Sequence, residues 1–168
     1  MAEPLSWCVE ALRSGAEPGL GRALRALRSL HTRNEAGAVR FRARGGLGPL
    51  LELLRDPQTQ AQAQEGSGGR GRSLGLALSV LGNLCTEPGC RRQARSLGGV
   101  PRLVALLRGP GPESVRNRAA RALANLALEP EGARDVLQEG ECGPKTALNI
   151  GKRPQNVAGG GEDGTKWY

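Results

Sequence analysis

The octapeptide Leu-Gly-Asn-Leu-Cys-Thr-Glu-Pro at 81–88 returns as Leu-Ala-Asn-Leu-Ala-Leu-Glu-Pro at 123–130. Asn83 and Asn125 are 42 residues apart, and so are Gly98 and Gly140. A unit of that length cannot bury its apolar face alone and must stack on its copies, so the chain is a linear array of units. The second copy shows what each unit contains. Pro112 can open a helix because its missing N–H is one that a helix N-terminus leaves unpaired, and Glu113 in the first turn favours the helix dipole. Val115, Ala119, Ala122, Leu123 and Leu126 then recur at the spacing of one helical face. Glu129-Pro130 stops this helix, since the residue before a proline is driven out of the α region. A short helix through Ala133, Val136 and Leu137 follows, and Gly140 is its expected left-handed cap.

The rest of the composition agrees with helices only. Two tryptophans, one tyrosine and one phenylalanine are the whole aromatic content of 168 residues. The core must therefore be leucine, alanine and valine, in a chain with almost no β-branched runs, and the fold class is all-α. No apolar run reaches the length of a membrane span, and MAEPLSWCVEAL lacks the basic-then-apolar plan of a secretory leader. The expectation is a cytoplasmic or nuclear protein with no membrane partner. A formal charge of +8, mostly arginine, favours acidic partners without choosing among protein, nucleic acid and lipid.

Along the chain, residues 1–19 read as a capping helix and linker. Leu5, Cys8, Val9 and Leu12 lie on one side of that helix, and a break runs from Gly15 to Gly21. The segment from Arg22 to Leu30 resembles the 112–128 helix in pattern, with Ala26 in the place of Asn83 and Asn125. A helix through Val39 and Phe41 ends at Gly45-Gly46. The stretch from Gly45 to Arg55 then aligns without gaps on Gly98 to Arg108, displaced by 53 residues. The excess over 42 falls in 56–72, polar and glycine-rich, which reads as a solvated loop grown between two helices. The repeats thus occupy 20–140.

A three-helix unit of this length has the period of armadillo repeats. Here GGVPRLVALL resembles that family's glycine corner and second helix, and RNRAARALANLALEPEGARDVLQEG resembles its third helix running into the next unit. The resemblance implies a right-handed α-solenoid of two to three repeats over roughly residues 20–140. Longer proteins of this kind carry further armadillo units and a BTB domain, a module that recruits cullin ubiquitin ligases, so a substrate-adaptor role is one implication. After Gly140 the pattern stops. Glu141-Cys-Gly-Pro-Lys145 and the glycine-rich segment to Tyr168 read as a disordered tail on a shortened variant of a longer protein. Leu126, Val136 and Leu137 would then lie near an end with no following unit, which favours self-association through that end.

Catalysis has little material. His31 is the sole histidine, and the carboxylates are spread as solvation requires. Glu87 and Glu129, repeated before proline, read as corner residues holding backbone amides. Cys8, Cys85, Cys90 and Cys142 are scattered and read as reduced thiols; neither a metal nor a cofactor is expected. Gly66 to Ser73, GSGGRGRS, is one residue from a phosphate-binding loop, with Arg72 for lysine. No buried strand precedes it, so the match lacks its context. The chain is read as no enzyme.

Binding is the sharper expectation. The armadillo resemblance implies that third helices line a groove in which an asparagine holds the backbone of an extended segment. The matching positions are Asn83 and Asn125, whose amides can donate and accept together. One turn earlier, where related grooves place tryptophan, this chain has Ser79 and Arg121. Arg118, Arg121 and Asn125 share a helical stripe, which points to acidic segments; the plainer alternative is a solvated arginine face. A basic RNA-binding module is the rival reading, weakened by the lack of aromatic platforms for bases.

Overall fold

The computed structural model describes residues 4–55 and 69–141. Among them are nine α-helices and no strand. Helix α1, Leu5–Ser14, buries Leu5, Cys8, Val9 and Leu12, the stripe expected from spacing. Gly15 ends it at φ 65°, with its N–H on the Ala11 carbonyl. Helix α2, Gly19–Ala26, continues into a wider π turn over Leu27–His31, where Thr32 directs both its N–H and its hydroxyl to the Leu27 carbonyl at 2.9 Å. The expected break of Gly15 to Gly21 is therefore shorter than the sequence suggested. Gly21 lies inside α2 because the Glu17 carboxylate accepts its N–H at 3.3 Å and occupies the room a side chain would need.

Helices α3, Glu35–Ala43, and α4, Leu47–Arg55, meet at Gly45, whose φ of 68° requires glycine. Asn34 caps α3 by accepting from the Gly37 N–H at 2.8 Å. Helix α5 runs Gly69–Leu84. Gly69 to Arg72, expected in the loop, thus belong to a helix. Ser73 next to them is buried and donates to Glu17 Oε1 at 2.6 Å, so a tertiary bond fixes this end against the glycines' weak helix propensity. The remainder of the insertion, 56–68, and the tail from 142 onward lie outside the described residues.

Helix α6, Pro88–Ser96, is joined to α7, Gly99–Arg108, through Gly98 at φ 74°, the counterpart of Gly45. Helix α8, Glu113–Leu126, buries Val115, Ala119, Ala122, Leu123 and Leu126, the face read from the sequence. Helix α9, Pro130–Glu141, differs from expectation at its end. Gly140 is inside the helix and not left-handed; its carbonyl accepts from Arg108 Nη2 at 2.6 Å.

Like helices stack on like. The third helices α2, α5 and α8 pack in a row, the second helices α1, α4 and α7 form another, and α3 packs on α6 in the first-helix row. Two complete triplets, α3–α5 and α6–α8, are flanked by partial units, α1–α2 and α9. Among the described residues the core is continuous through the stack and aliphatic apart from Phe41 and the thiols of Cys8, Cys85 and Cys90. Ala119 and Ala122 on α8, with Ala77 and Gly82 on α5, are buried small residues that let the two third helices approach closely.

Candidate functional site

Because α5 and α8 lie side by side, the residues singled out from the sequence fall on one surface. Asn125, half-buried, donates its Nδ2 to the Gly82 carbonyl at 2.9 Å. This asparagine thus ties the end of one third helix to the next. One N–H and the carbonyl oxygen of its amide remain for another group. Asn83 is also half-buried; its side chain makes no hydrogen bond to other described residues, and its main-chain carbonyl accepts from Thr86 Oγ1 at 2.7 Å. Ser79 turns its hydroxyl back onto the Gly75 carbonyl at 2.9 Å. It therefore lines the surface without offering a free donor.

The arginines lie across the neighbouring helix. Arg118 Nη1 donates to the Ser114 carbonyl at 3.2 Å, and a Cβ built at Gly75 would stand 3.3 Å from the same nitrogen. Arg121 Nε is 4.0 Å from the corresponding point at Gly82. Gly75 thus leaves room for the Arg118 guanidinium, and Arg121 lies against Gly82 at ordinary contact distance, a pairing that stripe reasoning along one helix could not see. The surface so formed is basic, with small residues between the arginines, and Arg121 is solvent-exposed.

Between repeats the polar contacts follow the 42-residue period only in part. Glu87 caps α6, accepting from Gly89 N at 2.8 Å and Cys90 N at 2.6 Å. Burial pushes its carboxyl up, but the two amides, the Cys90 thiol and Arg42 outweigh that and hold it below the usual carboxylate range. Glu129, at the equivalent place, is drawn instead to Arg91, whose Nε and Nη2 lie 3.2 and 3.0 Å from its Oε1. The buried Arg91 also donates from Nη1 to the Cys85 and Thr86 carbonyls. It closes the end of α5 and reaches the start of α9 at once, a role that one arginine among many did not announce.

Cys8, Cys85 and Cys90 are buried thiols outside any disulfide, and burial pushes Cys85 and Cys90 up to about 12, so they stay protonated. No group of three potential metal ligands occurs among the described residues. Cys142 lies outside them. Gly69 to Ser73 form the first turns of α5 rather than a loop ahead of it, which removes the phosphate-loop reading for that part. No described helix is long and apolar enough to cross a membrane.

Residues 87–128 match the Armadillo/beta-catenin-like repeat family. Over 83% of its length the chain is 42% identical to mouse Armadillo repeat-containing protein 5, of which it spans about one fifth (20%). Among solved structures, computationally designed armadillo repeat proteins for modular peptide recognition share the fold at a TM-score of 0.67 and 24% identity, over 82% of this chain and 53% of theirs. A designed armadillo repeat protein in complex with the peptide (KR)4 superposes with a TM-score of 0.67 at 22% identity, covering 81% of this chain and 52% of that one.

Proposed function

This chain is an armadillo-type α-solenoid carrying an Armadillo/beta-catenin-like repeat, and from that premise we propose that it is a non-enzymatic protein–protein interaction scaffold. The row of third helices, α2, α5 and α8, is its docking surface, and an extended polypeptide segment crossing those helices is its ligand. The observation that carries this reading is the layout of α5 and α8: Arg118 and Arg121 spread over Gly75 and Gly82, beside two half-buried asparagine amides. The designed relative bound to (KR)4 takes a basic peptide. This surface presents guanidinium groups, so its preference is the reverse, acidic side chains on an extended backbone. Asn83 and the unused half of Asn125 offer the sequence-tolerant backbone contacts.

Fluorescence anisotropy with a labelled, extended acidic peptide tests the reading. Binding should weaken about tenfold or more in the Arg118→Ala/Arg121→Ala chain and fall steeply with salt, as loss of two charge-assisted contacts requires. An unchanged affinity in that variant, or equal binding of a basic peptide, would refute it. Tighter binding of a single-stranded RNA than of the peptide would favour the nucleic-acid reading instead.

A further inference from the structure

A second polar feature lies on a different pair of helices. Arg42 of α3, with Gly89, Arg92, Gln93 and Ser96 of α6, encloses a shallow depression of about 480 Å³. Gly89 is what opens it. A Cβ there would stand 2.8 Å from Arg42 Cζ, so only glycine lets the guanidinium lie across the first turn of α6. Two polar atoms of the lining are buried without a hydrogen-bond partner among the described residues: Arg42 Nε and Gln93 Oε1. Glu87 stands 3.5 Å from that Nε as an ion pair, with its oxygens already taken by the Gly89 and Cys90 amides. Ser96 gives its hydroxyl to the Gln93 carbonyl at 2.9 Å. At the rim, Arg92 is 65% exposed and only 3.9 Å from Glu129, which Arg91 holds more closely at 3.0 Å.

The depression is therefore lined by two loosely paired guanidinium groups, Arg42 at 3.5 Å from Glu87 and Arg92 at 3.9 Å from Glu129, and by an amide oxygen with no donor among the described residues. A carboxylate accepts from two guanidinium groups, and the backbone N–H beside it donates to a carbonyl. We propose that this depression seats a single Asp or Glu side chain of a partner polypeptide, with Arg42 and Arg92 on the carboxylate and Gln93 on the adjoining peptide N–H. Arg42 Nε and Gln93 Oε1 are both covered in the arrangement described. Arg42 and Gln93 are part-exposed, so a rotamer change presents them. Binding then gives Gln93 Oε1 the donor it lacks among the described residues and Arg42 Nε an acceptor at hydrogen-bond distance, which gives the exchange its direction. The site is separate from the third-helix surface and does not depend on it.

The test is a titration of the full chain with a capped Gly-Ser-Glu-Ser-Gly pentapeptide and its Gly-Ser-Gln-Ser-Gly analogue, following arginine Nε–H and glutamine carboxamide resonances by NMR. The glutamate peptide should shift the Arg42, Arg92 and Gln93 signals saturably, about fivefold or more tighter than the glutamine peptide, since charge-assisted contacts are the stronger kind. Gln93→Leu and Arg92→Gln, neither of which removes a hydrogen bond found here, should each weaken it. Arg118→Ala/Arg121→Ala should leave it unchanged, so failure here and failure of the third-helix reading are told apart. Equal binding of the two peptides, no saturable shift, or full affinity in both depression variants would overturn the proposal.

Discussion

Arg91→Ala is the perturbation that asks most of the stacked-repeat account. Arg91 joins three elements: the end of α5 through the Cys85 and Thr86 carbonyls at 3.2 and 3.0 Å, its own helix α6, and Glu129 before α9. Its side chain is 10% exposed and that of Glu129 22%, so the pair is largely withdrawn from water. Removing one partner of a buried pair destabilises by about 3–5 kcal/mol, because the other charge is left without compensation. Residual water at Glu129, and Arg92 at 3.9 Å, put the expectation at the lower end, about 3 kcal/mol. That is a large share of the roughly 5–15 kcal/mol available to a domain. Arg91→Met with Glu129→Leu should recover most of it, since the charge and its partner go together. Urea melts followed by circular dichroism measure both. If Arg91→Ala costs less than about half a kcal/mol, as a solvated arginine would, the contact between repeats is not holding them together.

Leu126→Ala should cost about 2–5 kcal/mol in the same melt, since Leu126 is fully buried between α8 and its neighbours. A loss near zero would place that face outside the core. Glu87 carries a carboxyl held below its ordinary value in the folded chain, so its contribution is present above the unfolded pKa and is lost as pH falls through the folded one. Glu87→Gln should therefore lower stability at neutral pH and flatten its decline below about pH 4.5; an unaltered acid limb in pH-dependent melts would contradict the capping geometry. Leu128 and Leu137 are 67% and 66% exposed, and Leu137 occupies the repeat position at which Arg95 reaches Asp135 of the following unit. We expect self-association through that end, reduced by Leu137→Glu; sedimentation showing the unaltered chain and the variant equally monomeric would refute it.

The buried face of α8 was legible residue by residue, because a period of 3.6 on Val115, Ala119, Ala122, Leu123 and Leu126 needs no knowledge of what it packs against. The corners at Gly45 and Gly98 were equally open to reading, as an aligned pair of glycines in the same local pattern. The departures share a cause. Gly21, Gly69 and Gly71 are poor helix residues, and local rules end helices there. One side chain bears on both outcomes: Glu17, four residues before Gly21, accepts the Gly21 N–H with one oxygen and, across the fold, the Ser73 hydroxyl with the other. Gly140 stays helical with its carbonyl held by Arg108 of α7. Asn83 and Asn125 looked equivalent in sequence, yet only Asn125 reaches the Gly82 carbonyl; which amide remains idle is decided by the neighbour and not by the motif. Arg118 and Arg121 were visible as a stripe, while the glycines beneath them lie on another helix and came from no local pattern.

The central claim is that an extended acidic segment lies across the third helices, and the most direct measurement is where such a segment sits. A spin-labelled acidic peptide added to the isotope-labelled chain should broaden amide signals on α5 and α8 around Ser79, Asn83, Arg118, Arg121 and Asn125, and a reduced label should restore them. Broadening confined to the second helices α4 and α7, or spread evenly over the whole surface, would contradict the account.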